Sequence, residues 1–361
     1  MDGMRAPVHS RGPTAAAASW TRACRVLGVH RFGAGAGGET AAQLQSLALA
    51  ESTKGNYANK WMAFVAFCQA SGYTYLPATT ETVACYLGFI FERGTVAPGT
   101  LQSYLTPVNA VHALMQMERP AIGPLLIALR HGYARAYVNL TGGLRCKRLP
   151  LPAAVLLRFA HLGLTTADAG LRRRLAGLVM TGLTFSRPGG GANLRRKDVT
   201  LTGDNIKVQI IDYKHGARTD RERILIDVPR RGDGKHDAPF RLVHMHMSAV
   251  GMATADGDQP CFSPVGDLRA LPTEVATVWM REALYLLDVH PPDGGMYAGH
   301  SLRAGAATGY RAIGGELDAC AQLMGMKDKS TDVVSAAYVD ALAVADDAAR
   351  ELYDRFLRAQ R

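Results

Sequence analysis

A chain of 361 residues, 48% of them hydrophobic, has the length for about two domains and the apolar content for sizeable cores, which excludes a disordered polypeptide. Lys and Arg outnumber Asp and Glu by 41 to 31, for a net charge of +10 and a pI near 9.4. That balance favours a polyanionic partner such as nucleic acid or an anionic surface.

Residues 1 to 39 are rich in Ala, Gly and Arg, with Asp2 and Glu39 the only acids, and read as a disordered basic tail; an organelle transit peptide is the alternative. Gly33, Gly35 and Gly38 match a dinucleotide-binding fingerprint, but no βαβ unit surrounds them, so they read as low-complexity chain. From 40 to 139 the periodicity is helical. Tyr57, Trp61, Phe64, Val65 and Cys68 fall on one face of a helix that Ser52 or Thr53 would cap and Gly72 would end. A second helix starts near Thr79 or Thr80 and carries Val83, Leu87, Ile90 and Phe91. A third follows Pro98 and Gly99, with Thr100 as cap, Leu101, Tyr104, Leu105 and Val108 inward, and Pro107 either kinking it or near its start. A fourth, about 124 to 138, sets Arg130, His131 and Arg135 beside leucines, and its basic edge suits phosphates.

Residues 140 to 152 read as a linker from their Gly, Pro and charge, and Arg145, Lys147 and Arg148 within it suit a path along a nucleic-acid backbone. Helices are expected over 153 to 163, with Pro152 suited to a first turn, and over 168 to about 185. Period-two alternation at Ile206, Val208 and Ile210, then at Ile224, Ile226 and Val228, gives a β-hairpin with Lys214 at the base of its turn. Residues 230 to 260 read as loop plus a short helix. His244 and His246, with His236 nearby, lack a carboxylate or thiol to complete a metal set, so no metal is expected. The six cysteines form no Cys-x-x-Cys pair, no apolar run reaches the roughly 18 residues of a membrane span, and the N-terminus lacks a signal-peptide core. An intracellular protein is expected, without membrane contact.

A helix over 273 to 287 precedes the most telling stretch. If 301 to 313 is helical, His300 and Arg303 stand together at its start, where a helix terminus attracts anions and a guanidinium fork meets phosphate. Tyr338 follows as a candidate nucleophile, with Tyr353 the alternative. Downstream, Leu342, Ala345, Ala349, Leu352 and Phe356 form an apolar face for a neighbouring protomer or for the chain's own domain.

Taken together, these segments resemble the tyrosine recombinase (phage integrase) family from about residue 40 onward. The block Thr181 to Arg187, followed by Leu194 to Val199, is similar to that family's first-arginine block, Lys214 to its hairpin lysine, His300 to Arg303 to its His-x-x-Arg box, and Tyr338 to its nucleophile. The resemblance implies a mainly helical fold with a small antiparallel sheet, as a two-domain DNA clamp: helical DNA-binding domain 40 to 139, linker 140 to 152, catalytic domain 153 to 361. It implies cutting and rejoining of DNA through a 3′-phosphotyrosyl intermediate without a cofactor, by a tetramer on paired duplex sites. Arg187, Lys214, His300, Arg303, Tyr338 and the residue at Met326 would be catalytic. Arg130, Arg135, Arg145, Lys147, Arg148, Arg195, Arg196 and Lys197 would hold DNA. Arg187-Pro188 and the composition suggest a eukaryotic mobile element, hence a nucleus. Two departures stand out: Gly189 to Gly191 where relatives carry an acid, and Met326 after Gly325 where they carry His or Trp. A decayed or domesticated DNA-binding protein and a type IB topoisomerase-like relaxase are the rival readings.

Overall fold

The computed structural model describes residues 40, 41, 49, 51–141, 147–211, 223–232, 237–249, 257–264, 267, 269–272, 274–326, 331–340 and 345–358. The tail 1–39, Arg145, Lys214 with its turn, His236 and Leu342 lie outside these residues. The chain divides into two units, Met1–Leu144 and Arg145–Arg361.

The first unit is helical: α1 (Glu51–Ser71), α2 (Thr80–Glu92), α3 (Leu101–Leu114) and α4 (Pro124–Thr141). Helix α1 begins before Ser52 and Thr53, which are therefore interior residues and not caps, and Gly72 ends it at φ +73°, a left-handed position suited to glycine. Thr79 caps α2 by accepting from the Thr82 amide at 3.1 Å. Thr100 makes no side-chain cap, because a 3-10 turn over Pro98–Thr100 leads into α3, whose interior accommodates Pro107. The aromatic stripe is core: Trp61 and Phe64 have ring centres 5.7 Å apart, Phe64 and Tyr86 5.1 Å. Tyr133 of α4 joins them, its hydroxyl donating to the Val96 carbonyl at 2.7 Å. Buried His112 accepts from the Ala78 amide at Nε2 (2.8 Å) and stands 2.8 Å from the Val108 carbonyl through Nδ1.

The second unit opens on β1 (Lys147–Arg148), paired in parallel with β5 (Gly295–Met296), so the end of the stretch read as a linker is built into this unit. The Leu149 amide donates to Met296 and the Leu151 amide to Ser301, at 3.0 and 2.9 Å. Pro152 stands at the N-cap of α5 (Ala153–Thr165), and Asp168 caps α6 (Ala169–Leu183). After the short α7 (Pro188–Ala192) come β2 (Val199–Leu201), β3 (Asn205–Ile211) and β4 (Arg223–Pro229), an antiparallel sheet in that order. The expected hairpin is present, with Ile206 opposite Val228 and Ile210 opposite Ile224; strand β2, three residues long, was not foreseen.

Where a loop with a short helix was expected, α8 (Ala238–Ala249) runs for 12 residues and buries Phe240, Leu242, Val243, His246 and Met247. His246 bonds through Nε2 to the Cys261 carbonyl at 3.0 Å, and among the described residues no group of His, Cys, Asp or Glu could hold a metal. The remaining helices are α9 (Val275–Leu286), α10 (Gly299–Ala312), α11 (Leu317–Leu323), α12 (Thr331–Tyr338) and α13 (Asp347–Arg358). None of the described helices is long and apolar enough to cross a membrane.

The chain taken alone shows the second of the two readings of the terminal apolar face: Ala349, Leu352 and Phe356 of α13 are buried in this unit's own core. Arg355, fully buried beside them, bonds to Asp237 at 2.7 Å and to the backbone carbonyls of Leu352, Glu351 and Pro229. An ion pair of this kind, with its hydrogen-bonding capacity met, ties α13 to the segment between β4 and α8.

Candidate active site

Helix α10 carries the His-x-x-Arg box, and its small residues are there because its neighbours come close. A Cβ on Gly299 would lie 3.0 Å from Pro188, one on Gly305 2.1 Å from the Leu151 carbonyl oxygen, and one on Gly309 2.5 Å from the Tyr353 ring. The helix starts at Gly299, with the Ser301 hydroxyl accepting from the Ala298 amide at 3.0 Å and the Gly299 amide donating to Thr277 at 2.9 Å. His300 is exposed in this first turn, whereas Arg303 is only 2% exposed.

Arg303 is gripped by the ends of two other helices. Its Nη1 donates to the Phe185 carbonyl and its Nη2 to the Met324 carbonyl, both at 2.7 Å. Each acceptor belongs to a left-handed helix-ending turn. Behind α6, the amides of Phe185 and Ser186 donate to Gly182 and Thr181; behind α11, those of Gly325 and Met326 donate to Gln322 and Ala321. A helix C-terminus presents negative partial charge, so both ends suit a cation. Glycine is the expected left-handed residue, and Gly325 has φ +64°; Phe185, at φ +52°, holds the same conformation as a buried aromatic. Its ring is wedged among Tyr310, Tyr353 and Phe356, at 5.9, 5.7 and 5.3 Å between centres, and this packing offsets the backbone strain.

Arg187 follows two residues after Phe185, at the N-cap of α7, half-buried. Burial, and next the Arg187 charge, push the Arg303 guanidinium down to about 10, with Tyr338 acting in the opposite direction. Arg303 is still a cation at neutral pH. Its Nε is buried with no hydrogen-bond partner among the described residues. Tyr338, the last residue of α12, is half-buried, and the Arg303 guanidinium carbon stands 5.4 Å from its ring centre. Arg187, Arg303 and Tyr338 are thus brought together. Tyr353, 1% exposed, is core, and burial holds its phenol far above the usual range.

The two sequence departures have physical readings. Gly191 stands against Thr181, where a Cβ would come within 2.3 Å of the hydroxyl oxygen, whereas a Cβ on Gly190 would meet open space. Met326 closes the turn after α11 through its amide, 2.8 Å from the Ala321 carbonyl, and its half-buried side chain packs on the core.

The expected DNA contacts divide by exposure. Arg135 and Arg148 are exposed and Arg130 half-buried, while the side chain of Lys147 lies outside the description. Arg195 and Lys197 share Asp258, at 2.7 and 2.5 Å, and hold its carboxyl below the usual range. Arg196, 4% exposed between them, is a correction: its side chain turns inward and is no surface contact. Sequence reasoning also missed Thr308, whose hydroxyl meets the backbone after α12, and the carbonyls that hold Arg303.

No protein-family model and no curated protein matches the chain. Solved structures do. One is the XerH site-specific recombinase on palindromic difH substrate in a post-cleavage complex, with a TM-score of 0.55 and 12% identity over 96% of this chain and 94% of that one. A second is a lambda integrase tetramer bound to a Holliday junction, at 0.51 and 12% over 94% and 81%. A third is lambda integrase residues 75–356 bound to DNA, at 0.50 and 13% over 87% and 93%. This mainly helical chain with its small antiparallel sheet shares the fold of these recombinase and integrase structures. Nothing in these likenesses supports a eukaryotic mobile-element source or a nuclear location.

Proposed function

We propose that the protein is a site-specific recombinase that cuts and rejoins DNA strands with Tyr338 as nucleophile. The observation that carries this reading is the placing of Arg303 over the Tyr338 ring, at 5.4 Å, with the Arg187 charge beside it. In the proposed step the Tyr338 oxygen attacks a backbone phosphorus, the new tyrosyl O–P bond forms, and the P–O5′ bond breaks. The phenol proton passes to His300 or solvent, and the leaving 5′ oxygen takes a proton, for which Lys214 is the family's donor. Arg187 and Arg303 offset the charge that builds on the non-bridging oxygens, and fixed donors of this kind contribute most when they need not reorganise. The product keeps the bond energy as a 3′-phosphotyrosyl ester, ready for attack by a 5′ hydroxyl.

Duplex DNA as partner, contacted by residues such as Arg135 and Arg148, and a tetramer on paired sites are part of this proposal. They are supported by the net charge of +10 and by the likeness to a lambda integrase tetramer on a Holliday junction. The test is incubation with a pool of nicked duplexes of randomised sequence, followed by denaturing separation. A covalent protein–DNA adduct is expected, lost in Tyr338→Phe and kept in Tyr353→Phe. DNA binding without any adduct would instead identify a binding protein of this fold.

A further inference from the structure

The end of α12 is tied to α10 by one side chain. The Thr308 hydroxyl donates to the Tyr338 carbonyl at 3.1 Å and accepts from the Asp340 amide at 3.0 Å. A hydroxyl has one proton and two lone pairs, so this single group can satisfy both backbone partners at once. Helix α12 has eight residues, too few to hold its own shape in water, so the place of Tyr338 depends on what α12 packs against. Val334 is its buried apolar anchor, and Thr308 fixes its last turn. Thr308 stands on the same helix as Arg303, about 7.5 Å further along the axis at 1.5 Å per residue. One rigid element therefore carries an arginine of the proposed phosphate clamp and sets the backbone position of the proposed nucleophile.

We infer that Thr308 is a positioning residue: its hydroxyl holds the Tyr338 backbone in register with Arg303, so that the phenol meets a phosphate already held by the arginines. This rests on the reading of Tyr338 as nucleophile. Thr308, 8% exposed, does not itself reach a substrate. Displacement of a reacting group by about 1 Å can slow a reaction on the order of a hundredfold. Thr308→Val keeps the shape and removes both hydrogen bonds, whereas Thr308→Ser keeps both.

The experiment uses the full chain and the randomised pool of nicked duplexes, and measures the single-turnover rate of adduct formation at saturating DNA, with affinity for the pool measured separately. The amplitude reports the folded fraction and the rate constant reports the chemistry, so partial unfolding moves only the first. Thr308→Val, and Thr308→Ala with it, are expected to slow adduct formation on the order of a hundredfold at unchanged affinity, with Thr308→Ser close to the parent. A parent-like rate in Thr308→Val, or a loss in Thr308→Ser as large as in Thr308→Val, would overturn the inference while leaving Tyr338 as nucleophile. Absence of an adduct in the parent would overturn both.

Discussion

The Arg303 guanidinium carbon stands 5.4 Å from the centre of the Tyr338 ring, while two of its nitrogens are bonded to the carbonyls of Phe185 and Met324. A cation over an aromatic face is attracted by the ring's negative face. Backbone on one side and the phenol on the other hold the guanidinium in place.

Arg303→Lys should show that geometry matters beyond charge. An ammonium is a single point and cannot span two carbonyls as the planar fork does. One buried carbonyl would lose its partner, at about 1–3 kcal/mol in urea unfolding. Adduct formation should slow by roughly a hundred- to a thousandfold, the effect typical of one lost donor to a developing oxyanion. A rate within threefold of the parent would show that charge alone suffices.

The turn after α11 gives a pair of variants with separate readouts. Gly325→Ala places a side chain at φ +64° and should destabilise the unit by roughly 1–2 kcal/mol in urea unfolding. Met326→His leaves the backbone hydrogen bond from residue 326 to the Ala321 carbonyl in place and adds a ring N–H where a thioether offers none. It should speed adduct formation tenfold or more at unchanged DNA affinity. An unchanged rate would assign Met326 to the turn alone.

Asp237 and Arg355 should be the pair most sensitive to removal of one partner. Arg355→Met leaves a buried carboxylate unpaired, and Asp237→Asn an unbalanced buried guanidinium. Each should lower stability by about 3–5 kcal/mol, and replacing both with apolar residues should recover much of the loss. A loss in the double variant equal to the sum of the two single losses would show that the pair is not coupled.

His112 should make stability depend on pH. Its Nε2 accepts the Ala78 amide, which requires a lone pair there, so the neutral ring carries its proton on Nδ1 toward Val108. Burial holds its pKa below the ordinary value. The folded state then binds fewer protons than the unfolded state, so its stability contribution is whole above the unfolded value of about pH 6.5 and is lost as pH falls from there through the lower folded value. Buried His246 is shifted in the same direction. Urea midpoints should fall as pH drops below about 6.5, with a smaller slope in His112→Gln. An equal slope in that variant would remove His112 as a source.

Patterns set by local periodicity were legible in the sequence. The Trp61, Phe64 and Cys68 face and the β3–β4 hairpin each depend on spacing within one element. The grouping of Arg187, Arg303 and Tyr338 was legible only through the order of motifs. What escaped depends on contacts distant in sequence. Charge cannot distinguish Arg196 from Arg195 and Lys197, although it alone is buried. Nothing local foretells that Phe185 turns left-handed, because the rings that hold it come from α10 and α13. Leu149 and Leu151 read as linker because their hydrogen-bond partners, Met296 and Ser301, lie far along the chain.

That last pairing bears on how the C-terminal unit can be isolated. A fragment cut at Ala153, where composition places the start of the catalytic domain, would lose β1 and the strap formed by Leu149 and Leu151. The face of α10 at Gly305, two residues from Arg303, would then open to water, with the Met296 and Ser301 carbonyls left without their donors. A fragment beginning at Arg145 keeps the strap and, with it, the floor beneath the arginine.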